Sequence, residues 1–143
     1  MSIKFGLLTY PRLSITDEIK TIKSFGFDYV EIGIELPEGS TEILMRKRNK
    51  VMKLVSEFRY PAIAHTAWWI DFGSGYDDVN KVWLSEAKKC IDAAKILSIK
   101  KINFHFYSVG FAYKPYHREL LENIVKNLKH VVNYANSRNM TVM

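Results

Sequence analysis

The feature that most limits what this chain can fold into is a regular alternation of short apolar runs with longer amphipathic stretches. Ile3 to Leu8 reads as a strand. Ser14 opens a helix, with Asp17 three residues on as a capping-box acid. Ile15, Ile19, Ile22 and Phe25 fall on one face of it, and Gly26 ends it where a left-handed cap is common. Asp28 to Leu36 forms a second strand, Thr41 to Arg59 a second helix, and Ala62 to Thr66 a third strand. Asp77 or Asp78 caps a third helix with an inner stripe of Val79, Val82, Trp83, Ala87, Cys90, Ile91, Ala94 and Leu97. Lys101 to Tyr107 is a fourth strand. Tyr116 to Arg138 is a fourth helix, with Leu120, Leu121, Ile124, Leu128, Val131 and Ala135 facing in, and Met140 to Met143 begins a fifth strand. Strands and helices in this order call for a parallel sheet with right-handed crossovers. No linker or low-complexity tract interrupts residues 1–143, which read as a single domain.

Two architectures share that order, an open doubly wound sheet and part of a closed barrel. Central strands of an open sheet are covered on both faces and read as continuous apolar runs. Here the second strand alternates, with Val30, Ile32 and Ile34 on one face and Glu31, Gly33 and Glu35 on the other. The fourth does the same, with Ile102, Phe104 and Phe106 opposite Asn103 and His105. One apolar face for helices and one polar face for a site suit a barrel. The loop before the first helix also lacks the Gly-x-Gly-x-x-Gly fingerprint of a dinucleotide fold. The expected fold is α/β, a parallel βαβαβαβα half of a (β/α)₈ TIM barrel that ends as the fifth strand starts. The length of 143 residues is short of the ~250 of a complete barrel.

Composition excludes several classes. Apolar residues make up 48% and charged ones 25%, an ordinary globular balance. No apolar run approaches the ~20 residues needed to cross a bilayer, and Met1-Ser2-Ile3-Lys4 has no signal-peptide pattern. The single cysteine, Cys90, has no partner for an internal disulfide, which points to a reducing cytoplasm. Net charge is +6. Its densest source is Arg46-Lys47-Arg48-Asn49-Lys50 with Lys53, interleaved with apolar Leu44, Val51, Leu54, Val55 and Phe58. That is the solvated face of an amphipathic helix more than a phosphate-contacting patch.

The candidate chemistry lies at the strand ends. His65 closes the third strand and His105 sits near the end of the fourth. In a barrel the carboxyl ends of the strands carry the active site, and neighbouring strands lie only about 4.8 Å apart. Neutral imidazole binds zinc, manganese, iron and related divalent ions. A catalytic site needs at least three protein ligands, so His65 and His105 make an incomplete one. Glu31 and Glu35 leave the same face of the second strand. Glu31 is either a substrate-binding or metal-supporting carboxylate or one half of an internal salt bridge to Lys4 or Lys101, and Glu35 is expected to be solvated. Trp68, Trp69 and Tyr107 are candidate walls of a sugar pocket, or cover for the barrel mouth, or part of an interface. His117 and His130 are expected at the surface, and Cys90 as a buried structural thiol.

Gly26-Phe27-Asp28-Tyr29-Val30-Glu31-Ile32 resembles the "G-F/Y-D-x-V-E-I/L" stretch of sugar isomerase and epimerase proteins. Ala64-His65 and Asn103-Phe104-His105 resemble the histidine strands of the same xylose isomerase-like TIM barrel superfamily, which also holds the endonuclease IV group (AP endonuclease family 2). The resemblance implies a metal-dependent sugar or sugar phosphate isomerase or epimerase. Its cofactor would be divalent zinc, manganese, magnesium or cobalt, with His65 and His105 as early ligands and Glu31 as the second-strand carboxylate. The family's fifth-strand glutamate, in an "(L/I)-E-(N/P)" context, has no counterpart before Thr141-Val142-Met143, so the expectation is a truncated barrel holding part of the machinery. An abasic-site nuclease is the alternative within the superfamily. The net charge suits it, but Gly6-Leu7-Leu8-Thr9-Tyr10-Pro11 lacks the histidine- and glycine-rich start of that branch. A third reading is a non-catalytic half-barrel that associates with itself through open strand edges. A small sugar and a homo-oligomeric partner are therefore expected, nucleic acid less so, and a membrane not at all.

Overall fold

The computed structural model describes residues 3–105 and 116–143. Five strands form one sheet in the order β1-β2-β3-β4-β5: β1 Gly6–Leu8, β2 Tyr29–Ile34, β3 Ile63–Thr66, β4 Lys101–Asn103 and β5 Thr141–Val142. Every neighbouring pair is parallel. The intervening helices are α1 Ile15–Ser24, α2 Thr41–Arg46, α3 Arg48–Val55, α4 Asp77–Ile96 and α5 His117–Asn136. A doubly wound sheet reverses its strand order at a switch point. Here sequence order and spatial order coincide. Right-handed crossovers then put all the helices on one face, the arrangement of a barrel wall.

Burial follows the alternation read from the sequence. Val30, Ile32 and Ile34 are buried against the helices with Ala64, Ile102 and Phe104. They meet Ile15, Ile19 and Ile22 of α1, Leu44 and Val51 of α2 and α3, Ala87, Cys90, Ile91 and Ala94 of α4, and Ile124, Val131 and Ala135 of α5. The opposite face of the sheet, with Tyr29, Glu31, Ile63, His65 and Asn103, is only half-buried.

Several boundaries differ from the sequence reading. The second helix is two, parted at Lys47, whose backbone (φ −94°, ψ 8°) leaves the helical region while its side chain reaches Glu38 at 3.2 Å. Phe25 is 71% exposed rather than part of the inner stripe, because α1 stops at Ser24 and the chain turns through Gly26 at φ +81°. Ser14 precedes α1 but makes no side-chain cap bond; its hydroxyl lies 3.3 Å from that of Thr16. Val79 and Val82 of α4 are exposed at 41% and 64%. Asn80 takes the buried place between them, donating its amide to the Ser74 carbonyl at 2.8 Å. β4 ends at Asn103, and Phe106 and Tyr107 lie outside the described residues.

Candidate active site at the strand ends

The three strands that carry the candidate groups are fixed in register by side-chain bonds to the backbone of neighbouring strands. Gly33 pairs with His65, and His65 with Asn103. Thr9, fully buried after β1, donates its backbone N–H to the Glu31 carbonyl at 2.9 Å. Its hydroxyl accepts from the Gly33 N–H at 3.0 Å, which pins β1 to β2 beside Glu31. Thr66 does the same one strand further on, its hydroxyl donating to the Asn103 carbonyl at 3.0 Å. Gly39 is required behind the site, because a Cβ there would run into the Gly33 carbonyl.

On this frame Glu31, His65 and His105 form a line. The Glu31 carboxylate accepts from His65 Nδ1–H at 2.8 Å; among the described residues neither Lys4 nor Lys101 pairs with it, and Lys4 lies over the Tyr60 ring at 3.8 Å. A carboxylate on Nδ1 leaves His65 Nε2 facing His105 Nε2, and these two nitrogens are 2.8 Å apart. Two lone pairs repel at that distance, so a single proton lies between the rings. The two Nε2 atoms thus face one shared point, His105 donating and His65 accepting, and the carboxylate fixes which nitrogen of His65 does so; a metal held by both would displace that proton.

Burial, and after it the charge of His65, holds His105 below the ordinary imidazole range, against a hydrogen bond to the Thr66 backbone that favours the charged form. A histidine depressed in this way binds a proton less readily folded than unfolded. The stability it contributes is complete above the unfolded value of about 6.5 and is lost as pH falls through the folded one. Urea unfolding at a series of pH values is therefore expected to show a midpoint that drops on going below pH ~6.5. His105→Gln should flatten that drop, and an unchanged pH dependence in the variant would assign the acid sensitivity elsewhere.

Glu35 is half-buried rather than solvated. Burial pushes its carboxyl up from the usual range, opposed by the charge of His65. The aromatic candidates divide. Trp68 and Trp69 pack edge to face with centroids 5.9 Å apart, and both are exposed. Trp69 lines a cavity of about 380 Å³ with Glu35, Thr41, Ala67, Trp83 and Glu86, and neither histidine lines it. Tyr107 lies outside the described residues. His117 and His130 are exposed, as expected. Cys90 is buried, and burial pushes its thiol up to about 12.

Sequence reasoning missed the groups that position the loop between β3 and α4. Asn127 donates to the Phe72 carbonyl at 2.8 Å, and Asn80 and Asn123 both donate to the Ser74 carbonyl. Phe72 in turn packs on Phe104, the neighbour of His105, at 5.8 Å. The available signal was Asn127 itself, an amide set in the inner stripe between Ile124 and Val131.

As to metal, the donors present are two imidazole nitrogens that converge, one of them backed by a carboxylate, which is the chemistry of a divalent site. Among the described residues no group of three or more His, Cys, Asp or Glu stands close enough to hold an ion. The pair fits such a site as part of its ligand set.

No protein-family model matches the chain, and no curated protein sequence matches it. Solved structures do. A D-tagatose 3-epimerase-like protein superposes with a TM-score of 0.82 at 20% identity, over 98% of this chain and 51% of that one. D-psicose 3-epimerase from Clostridium cellulolyticum H10, solved with D-tagatose, gives 0.75 at 12% identity, over 98% and 51%. The 3-keto-D-glucoside 4-epimerase of E. coli gives 0.73 at 16% identity, over 99% and 55%. The chain thus spans about half the length of the structures it matches. Sequential strand order, helices on one face and these superpositions agree, and the chain has the fold of the N-terminal half of a (β/α)₈ barrel.

Proposed function

We propose that this chain carries the strand-2 to strand-4 part of a divalent-metal-dependent sugar isomerase or epimerase site. The observation that carries the reading is the convergence of His65 Nε2 and His105 Nε2 at 2.8 Å, with Glu31 locking His65 from behind. His65 and His105 would hold the metal, and Glu31 would fix the His65 tautomer and keep its Nε2 lone pair available. When bound, a divalent ion polarises the carbonyl and hydroxyl pair of a sugar. Exposed Trp68 offers an indole face to the apolar side of a sugar ring. Glu35, whose carboxyl burial pushes up from the usual range against the charge of His65, is the nearby carboxylate that would exchange a proton with the sugar. The sugar named with one superposed epimerase, D-tagatose, sets the class of ligand to try.

The nuclease alternative draws less support. Arg46 to Lys50 lie at the end of α2, the break at Lys47 and the start of α3 rather than on strand ends, and Lys47 is already paired with Glu38.

The test is titration calorimetry of the chain with Mn²⁺ and Zn²⁺, followed by tryptophan fluorescence with D-tagatose and D-fructose on the metal-loaded protein. Saturable binding at one ion per histidine pair is expected. Glu31→Gln, which keeps the shape but turns an acceptor oxygen into a donor amide, should weaken binding by about 10–100-fold. Equal affinity in Glu31→Gln, or no binding by the unmodified chain, would sink the reading.

A further inference from the structure

The two rings of the histidine pair are held to different degrees. His65 lies inside β3, in register with Gly33 and Asn103, and Glu31 fixes it from behind. His105 lies past the end of β4 at Asn103. Its ring meets His65 Nε2 and the Thr66 backbone, both on β3. The backbone bond beside it, from the Phe104 N–H to the Met143 carbonyl, is long at 3.3 Å. On the helix side the support is Phe104, buried, whose ring packs on that of Phe72 with centroids 5.8 Å apart. Phe72 stands in the loop between β3 and α4, and amides tie that loop to two helices. Asn127 of α5 donates to the Phe72 carbonyl at 2.8 Å; Asn80 of α4 and Asn123 of α5 donate to the Ser74 carbonyl at 2.8 and 3.3 Å. Gly73, between them, lies so close to α5 that a Cβ there would come within 2.8 Å of the Ile124 side chain. Asn127 is 5% exposed, in the apolar stripe that holds Ile124 and Val131. An amide buried in such a stripe is unfavourable unless it is hydrogen-bonded. A leucine would pack there without that cost, so what the amide adds is the placement of the loop.

We propose that Asn127 is a positioning residue for His105: it holds the Phe72 carbonyl, Phe72 holds Phe104, and α5 thereby sets how His105 Nε2 meets His65. The 2.8 Å between the two Nε2 atoms leaves little tolerance, because a hydrogen bond weakens steeply with misalignment. Without the amide the Phe72 carbonyl loses a buried donor, and the loop keeps only the two bonds at Ser74. Phe72 is then free to move off Phe104, and His105, the next residue, moves with it. The placement of the ring pair stands on these contacts alone. Its effect on a metal rests on the function proposed above.

The test uses the 143-residue chain, isotopically labelled at the histidine nitrogens and free of metal, at about pH 8, where an ordinary imidazole is neutral. The proton between the two Nε2 atoms is expected as a downfield imidazole N–H resonance protected from exchange with water. Asn127→Leu keeps the size of the side chain and removes the donor. Phe72→Leu keeps the backbone carbonyl and removes the ring, and it carries the test should Asn127→Leu not fold. Val131→Ala, one turn further along α5, deletes buried apolar volume from a side chain that has no polar atom to bond the loop. It is the control for lost stability alone. The resonance should be lost in both leucine variants and kept in Val131→Ala. Zn²⁺ affinity, measured by calorimetry, should fall about 10-fold in the leucine variants and stay unchanged in the control. A resonance that survives in the folded leucine variants overturns the proposal, and so does one lost equally in Val131→Ala. Absence of Zn²⁺ binding by the unmodified chain would instead sink the metal reading, while the proton resonance, observed without metal, still decides the role of Asn127.

Discussion

Replacing His65 with alanine is expected to reduce divalent-metal affinity by more than about 100-fold, to the limit of calorimetric detection. The variant removes one of two converging donors, where a supporting residue alone costs about 10–100-fold. It also strips Glu31 of its hydrogen-bond donor, leaving a half-buried carboxylate without its partner on β3. His105→Ala should remove a donor as well but leave the Glu31–His65 bond in place. The two variants are thus expected to agree in metal binding and to differ in stability, with His65→Ala the less stable. Calorimetry with Mn²⁺ and urea unfolding of both would decide. Full metal affinity in either variant would mean that the rings pair only with each other.

Ile32→Ala should produce the complementary result, a stability loss of about 3 kcal/mol with metal binding preserved at low temperature. Ile32 is fully buried in the middle of β2, in register with Ala64 of β3. It projects to the helix side, while its neighbours Glu31 and Gly33 project to the site. The alanine leaves a cavity between sheet and helices that a stiff parallel strand cannot collapse around. For a chain of this size the melting temperature should fall by roughly 10 °C. Thermal denaturation followed by calorimetric metal titration at 10 °C separates the two effects. Loss of metal binding in a variant still folded at that temperature would show that the strand's two faces are not independent.

The period-two alternation in β2 and β4 made the parallel sheet and its inward face legible, because each strand has one face on helices and one on the site. It also named Glu31, His65 and His105, since residues two apart, or in matching positions on neighbouring strands, must share that face. What the sequence did not disclose was how they join. The choice of partner for Glu31 depends on the β2–β3 register, and register is a tertiary property. Helix ends were less legible than helix cores. Phe25 fits the apolar stripe of α1 by spacing, yet the helix ends one residue earlier and the side chain leaves the core. Val82 fits that of α4, yet it borders the cavity behind Trp69. Thr9, Thr66 and Asn127 act through bonds to the backbone of distant segments, and such bonds leave no periodic trace.

The solitary thiol of Cys90 gives this molecule an internal clock. It sits on the sheet-facing side of α4, almost wholly buried, and burial holds it as the unreactive thiol rather than the thiolate. Modification by a thiol reagent must therefore wait for an opening around α4 that exposes the sulfur. Under conditions where reclosing outpaces labelling, the ratio of the native labelling rate to that of the unfolded chain equals the opening equilibrium constant for that helix. With a single cysteine in the sequence, that constant can be read without any engineered probe. Comparing it with the global unfolding constant would tell whether the half-barrel opens as one cooperative body or sheds α4 first.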